Sequence, residues 1–127
     1  MKLGFEVRPT KNKDRALFAT QDFKIGDIIE SCPVINLTPG ERKQAAKTIL
    51  NHYMYPWRST RSASVVLGYG SLINHSFIPN SDWKQNFKTR KMVYRAIKPI
   101  KKGEEITVNY NGEPDDQTPI DWFEVSY

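Results

Sequence analysis

The stretch Gly68-Tyr69-Gly70-Ser71-Leu72-Ile73-Asn74-His75-Ser76-Phe77-Ile78-Pro79-Asn80 holds the densest polar cluster of the 127-residue chain, set in an otherwise apolar run. Two glycines bracket Tyr69, so the backbone there can bend and come close to a neighbour. Asn74, His75 and Ser76 follow Leu72 and Ile73 directly, and if buried all three require hydrogen-bond partners. Read one at a time, each has an ordinary structural explanation. His75 can be a satisfied core histidine, and Ile78-Pro79-Asn80 can be plain turn chemistry. Metal chemistry has little support: Cys32 stands alone and His52 is the only other histidine, which argues against a zinc site.

Outward from this stretch the chain reads as short strands between turn signals. Leu3–Val7, Arg15–Ala19, Asp27–Ser31 and Val34–Leu37 precede it, with Ser64–Leu67 leading in. Ser81–Phe87, Met92–Lys98 and Glu105–Tyr110 follow. In the last run Ile106, Val108 and Tyr110 share one face and Thr107 and Asn109 the other, the period of a half-buried strand. One helix is predicted: Thr38-Pro39-Gly40-Glu41 is a capping box with proline at the first helical position. Ala46, Ile49, Leu50 and Tyr53 then recur at helical spacing, and Pro56 should end the helix at Tyr55. A short pattern occurs twice, Phe23-Lys24-Ile25-Gly26-Asp27-Ile28-Ile29 and Ile100-Lys101-Lys102-Gly103-Glu104-Glu105-Ile106. Each copy reads as a turn whose glycine takes positive φ, followed by a strand. The whole is a mainly β single domain over 1–127, with a core of about 5–110 and a closing segment over 111–127.

The composition, 39% hydrophobic and 12% aromatic, suffices for one core and is too apolar for a disordered chain. No apolar run approaches the roughly 20 residues that cross a bilayer. Glu6 and Arg8 interrupt the start before a secretory segment can form. A soluble protein of a reducing compartment is expected, cytoplasmic, nuclear or exported as an effector, with no membrane partner. The charge is asymmetric. Residues 1–102 carry all 19 bases and 7 acids, a net of +12, whereas residues 103–127 carry the other 7 acids and no base. An acidic end suits a basic peptide partner, to be attracted by Glu113, Asp115, Asp116, Asp121 and Glu124; the plainer reading is a solvated terminus.

Asn74-His75-Ser76-Phe77-Ile78-Pro79-Asn80 resembles the N-H-S-x-x-P-N signature of the SET-domain lysine methyltransferases. Gly103-Glu104-Glu105-Ile106-Thr107-Val108-Asn109-Tyr110 resembles their second signature, G-E-E-[LI]-x-x-[DN]-Y. The order and spacing fit, the resemblance covers roughly residues 5–110, and the nearest match in size is the small, viral-type domain without zinc-binding flanks. It implies small β-sheets around a pseudoknot, in which the Tyr110 segment threads beneath the loop carrying Asn74–Asn80. It implies an enzyme that moves a methyl group from S-adenosylmethionine to a lysine amine on a basic, lysine-bearing protein or peptide, histones being one such class.

Residue by residue, the resemblance makes Asn74 and His75 cofactor-binding, Asn74 by its side chain near the amino group and His75 chiefly by its backbone at the adenine. Tyr110 becomes the catalytic tyrosine, beside the transferring methyl. Tyr69 and Tyr53 become walls of the substrate channel; Tyr55 competes with Tyr53, and core packing is an equal reading of Tyr53. The family's glycine-rich cofactor loop falls on Asp14-Arg15-Ala16, which has no glycine. Lys13, Asp14 and Arg15 could still serve by backbone, with Arg15 adding a side chain for the cofactor carboxylate. The missing zinc segment leaves Trp122 and Phe123 as aromatic covers over the adenine or channel mouth, or as a terminal anchor.

The reaction suits such residues. Methyl transfer to an amine needs a neutral lysine, and removing its proton at pH 7 costs roughly 4.6 kcal/mol from a pKa near 10.4. An apolar channel beside a sulfonium lowers that cost by desolvation and like charge, so no dedicated base is required. Two other readings stand beside it. One is a SET-like module that binds peptide or cofactor without turnover, suggested by the glycine-free loop. The other is a basic β-domain binding single-stranded nucleic acid through Trp83, Lys84, Phe87, Lys88, Arg90 and Lys91. That last one leaves the Asn74–Asn80 cluster unexplained, so nucleic acid ranks below protein as a partner.

Overall fold

The computed structural model describes residues 3–118, and short strands dominate them, as the turn-punctuated sequence requires. In chain order these are β1 (Phe5–Pro9), β2 (Arg15–Ala19), β3 (Ile28–Leu37), helix α1 (Pro39–Ala45), β4 (Met54–Trp57) and β5 (Ser59–Val66). Then come β6 (Asn74–His75), β7 (Ser81–Asn86), β8 (Lys91–Ala96) and β9 (Thr107–Val108). β1 and β2 form an antiparallel pair, β4-β5-β3-β8-β7 a five-stranded sheet, and β6 and β9 a two-residue parallel pair.

The two runs expected on either side of Cys32 are one ten-residue strand with a change of partner. Residues Ile28 to Pro33 of β3 pair with β8, and from Val34 onward β3 pairs with β5. Pro33 stands at the hand-over, where a missing N–H costs least. The change of partner lets the sheet curl until its two outer strands meet. Gln85 on β7 donates to the Pro56 carbonyl on β4, and Tyr55 and Trp83 stand edge to face at 5.2 Å.

The capping box is present, Glu41 N–H donating to Thr38 Oγ1 and Thr38 N–H to Glu41. The helix is nevertheless shorter than its periodicity predicts. Thr48 accepts from the Leu50 N–H and donates to the Ala45 carbonyl, which ends α1 and starts a separate 3₁₀ turn over Ile49–His52. Met54 and Tyr55, expected at the helix end, belong to β4 instead. Pro56 is tolerated there because β4 is the outermost strand of its sheet.

The two copies of the repeated pattern are structural twins. Gly26 and Gly103 take φ of 91° and 94°. In each turn the acid following the glycine accepts from a lysine N–H, Lys24 to Asp27 and Lys101 to Glu104. The leading residues Phe23 and Ile100 pair with each other through two backbone bonds of 2.8 and 3.0 Å. Around this seam lies the core, with Leu17, Ile73, Met92, Tyr94, Ile106 and Val108 fully buried. Each such aliphatic side chain contributes about 1.5–3 kcal/mol by leaving water. Among the described residues no helix is long and apolar enough to cross a membrane.

Candidate active site

The two signature segments are laced together. β6 and β9 pair in parallel, Asn74 opposite Thr107 and His75 opposite Val108, and Ser76 N–H donates to the Val108 carbonyl. A parallel pair this short needs side-chain help, and Asn80 supplies it. Its amide donates to the Glu105 carbonyl at 2.8 Å and accepts from Thr107 N–H at 3.0 Å. The Ser81 hydroxyl adds a 2.6 Å bond to the Thr107 carbonyl. The polar run after Ile73 is therefore largely a clasp that holds the second segment beneath the first, which is the threading the resemblance implied.

His75 and Tyr110 form the next layer. Tyr110 N–H donates to His75 Nδ1 at 3.0 Å, so the ring proton of neutral His75 resides on Nε2. Burial, followed by the nearby Lys13 charge, holds this imidazole below its usual pKa, keeping it neutral at pH 7. The Tyr110 hydroxyl donates to the Ile73 carbonyl at 2.8 Å. Burial raises the phenol well above its ordinary value, helped by neighbouring Tyr55, Tyr53 and Glu105. Its one hydrogen is committed to Ile73, so the oxygen serves any further group as an acceptor.

Asn74 lies at the other side of the knot. Its Nδ2 donates to the Arg15 carbonyl at 3.0 Å and to Glu105 at 3.3 Å, which fixes the amide and leaves Oδ1 as an acceptor. Glu105 is ion-paired with Lys13 at 3.3 Å, both side chains about one-fifth exposed. Lys13, Arg15, Asn74 and Glu105 thus form one polar cluster, bringing the 13–15 loop to the first signature. The loop also keeps a backbone shape that favours glycine: Asp14 sits at φ 64°, a region aspartate tolerates better than most residues. Ala16, at the second glycine position, is fully buried.

A cavity of about 220 Å³ opens beside Tyr110, walled by Tyr53, Tyr55, Ala63, Ser71 and Arg42 among others. Among the described residues no carboxylate lines it. Both competing tyrosines, Tyr53 and Tyr55, are in the wall. Tyr55 is fixed from behind by the Tyr94 hydroxyl at 3.3 Å, and burial pushes its phenol up to about 12. Gly70 lets Tyr94 reach that position, since a Cβ there would lie 2.6 Å from its hydroxyl.

Tyr69 is apart from this cavity: it is 38% exposed, packs against Phe5 at 5.4 Å and donates its N–H to Glu30. Trp122 and Phe123 lie outside the described residues. Asp116, expected to act on substrate, has its carboxylate held by Thr118 N–H and hydroxyl, and its carbonyl accepts from Asn109 and Asn111. Arg42, Ser71, Ala63 and Glu105 were not singled out from the sequence. Tyr55 had a readable signal, the alternation that buries Tyr55 and Trp57 around exposed Pro56.

Comparison with known proteins agrees with this geometry. The SET domain family model matches residues 14–111. The H3 lysine-37-specific histone-lysine N-methyltransferase of Schizosaccharomyces pombe is 34% identical over 106 residues, which are 83% of this chain and 71% of that protein. A solved Plasmodium falciparum protein, described as a candidate histone methyltransferase, superposes with TM-score 0.68 at 26% identity, covering 87% of this chain and 95% of that one. The Chaetomium thermophilum polycomb repressive complex 2, solved with S-adenosylmethionine, contains a chain matching at TM-score 0.73 and 19% identity over 87% of this chain and 15% of its own.

Proposed function

The chain belongs to the SET-domain family, and on that premise we propose that it methylates a lysine on a histone-like protein, with Tyr110 at the reacting centre. The reaction is S-adenosylmethionine-dependent transfer to a lysine side chain. Bound S-adenosylmethionine supplies a methyl group activated by its sulfonium. The polar cluster has the donor set that an amino-acid end requires. Asn74 Oδ1 and backbone carbonyls can accept from an ammonium, and Lys13 and Arg15 can neutralise a carboxylate. His75 is held by its own ring bond to the Tyr110 backbone, which leaves its main chain to face an adenine.

The observation that carries the reading is the Tyr110 hydroxyl. Tyr110 lines a cavity sized for one side chain, and its hydroxyl proton is engaged by the Ile73 carbonyl. An oxygen so arranged can accept weak C–H···O bonds from an electron-poor methyl and align it for in-line attack. It is a poor acid and a poor nucleophile. Tyr53 and Tyr55 would sheathe the incoming lysine in aromatic surface and exclude water. Arg42 contributes a positive charge to the wall, and among the described residues no carboxylate there would pair with the ammonium form. Desolvation and like charge together lower the lysine pKa, so the neutral nucleophile forms without a base.

The test is label transfer from methyl-labelled S-adenosylmethionine to histones and to lysine-rich peptides, read by mass spectrometry. Transfer to lysine nitrogen is expected. Label on other side chains, or none with folded cofactor-bound protein, would refute the reading.

A further inference from the structure

From Arg42 to Gly103 the chain carries 13 lysines and arginines and a single acid, Asp82. Six of these bases stand at or near two hairpin ends, Arg58 and Arg61 where β4 turns into β5, and Lys88, Arg90 and Lys91 where β7 turns into β8, with Lys84 two residues before the end of β7. All six are exposed, and none forms an ion pair with another described residue. The curl of the sheet brings the two ends together. Trp57 and Phe87 meet edge to face at 5.1 Å, and the Arg58 guanidinium lies 4.7 Å over the Phe87 ring.

The backbone supplies a second, independent sign. Among the described residues three non-glycine positions have positive φ: Asp14 in the candidate cofactor loop, Arg58 at 63° and Arg90 at 55°. Both hairpin turns therefore carry arginine where glycine or asparagine would sit more easily. Strain retained at such positions clusters at functional sites.

We infer that these paired hairpin ends bind the phosphate backbone of duplex nucleic acid. Clustered, unpaired arginines and lysines are the chemistry that neutralises phosphates. Trp57 is buried, Trp83 packs on Tyr55, and Phe87, though 40% exposed, has Arg58 over its ring, so these aromatics do not form a row of open faces on which successive unpaired bases could stack. Pro56, next in sequence to Trp57, lines the cavity beside Tyr110, which puts the patch at the edge of the substrate entrance. One consequence rests on the methyl-transfer reading. A body this basic repels a free basic tail, whereas a lysine-rich protein complexed with nucleic acid has negative surroundings and is steered toward it.

The experiment is fluorescence anisotropy of the full chain with a labelled, mixed-sequence DNA duplex across a salt series. About five or six neutralised phosphates should give a slope of log K against log salt near −5. Arg58→Gly and Arg90→Gly remove charge while giving each turn the residue its backbone favours, so the variants should melt no lower than the parent. Each should weaken duplex binding roughly tenfold at about 0.1 M salt and reduce the slope by about one. The double variant should methylate a free lysine-rich peptide normally and the same protein in complex with duplex more slowly. Unchanged duplex affinity in the double variant overturns the inference, as does equal binding to polyglutamate or to anionic vesicles. Because the binding arm needs no turnover, absence of methyl transfer by the parent would count against the proposed reaction alone.

Discussion

Removing one atom, the hydroxyl oxygen of Tyr110, separates the structural from the chemical role of this residue. In Tyr110→Phe the ring, its packing and the backbone bond to His75 remain. What is lost is the donor to the Ile73 carbonyl, which belongs to a residue that is 1% exposed. A buried carbonyl left without its donor costs about 1–3 kcal/mol. For a domain of this size that lowers the melting temperature by roughly 4–11 °C. The reaction should suffer separately. Weak C–H···O contacts contribute about 0.5–1 kcal/mol each, so losing one or two predicts roughly 2.3–30-fold slower turnover. Loss of methyl alignment could extend this toward a hundredfold. Calorimetric titration should find cofactor affinity within about threefold of the parent, because the cluster around Asn74 is untouched. Single-turnover rates measured well below the variant's melting temperature give the decisive number. A rate within twofold of the parent would remove Tyr110 from the reacting centre.

Three further perturbations follow from the geometry. Gly70→Ala forces a methyl into the Tyr94 hydroxyl and should cost about 1–3 kcal/mol by denaturant unfolding; unchanged stability would mean that Tyr94 is not tightly held against this turn. Asp14→Gly should preserve stability and cofactor affinity, whereas Asp14→Val should lower both, because a β-branched residue is strained at φ 64°; calorimetry and thermal melts read the pair. His75 has a folded-state pKa below its unfolded value, so the unfolded chain binds the extra proton first. Its stabilising contribution is complete above about pH 6.5 and declines as pH falls below that value. His75→Asn, which retains an acceptor for Tyr110 N–H, should flatten the fall in urea-derived stability between pH 6.5 and 5, and an unaltered slope would refute it.

The sequence revealed those elements whose signals are local. β2, β7 and β8 stand within two residues of their predicted limits because each is a short run bounded by turn residues. Thr38 and Glu41 marked the helix start, but its end was misjudged, since Ile49 and Leu50 continue an apolar spacing that Thr48 interrupts by a hydrogen bond. β6 spans two residues, too few to have a period, and the alternation over Glu105–Tyr110, of which only Thr107–Val108 is strand, did not name a partner, so only the family resemblance pointed to the threading. The cavity wall was partly hidden for a different reason. Tyr55, Ser71 and Arg42 meet because β3 changes partners and the sheet closes on itself, a property of the whole sheet. The Lys13–Glu105 pair joins residues 92 positions apart, and no local pattern encodes it.

The lacing of β6 and β9 also determines when the site can exist. Its bonds join residues distant in the chain: Asn80 to Glu105 across 25 positions, Tyr110 to Ile73 across 37 and Asn74 to Arg15 across 59. Loop-closure entropy grows slowly with such spans, but all of them must be closed before any part of the site is complete. On the proposed assignment, a chain still lacking Glu105 or Tyr110 therefore cannot complete the cluster that would hold the cofactor. Binding is coupled to the native state alone, and saturation at a hundred times the dissociation constant should add about 2.7 kcal/mol to the stability of the entire domain. On the proposed assignment, the supply of methyl donor thereby also raises the folded fraction of the chain.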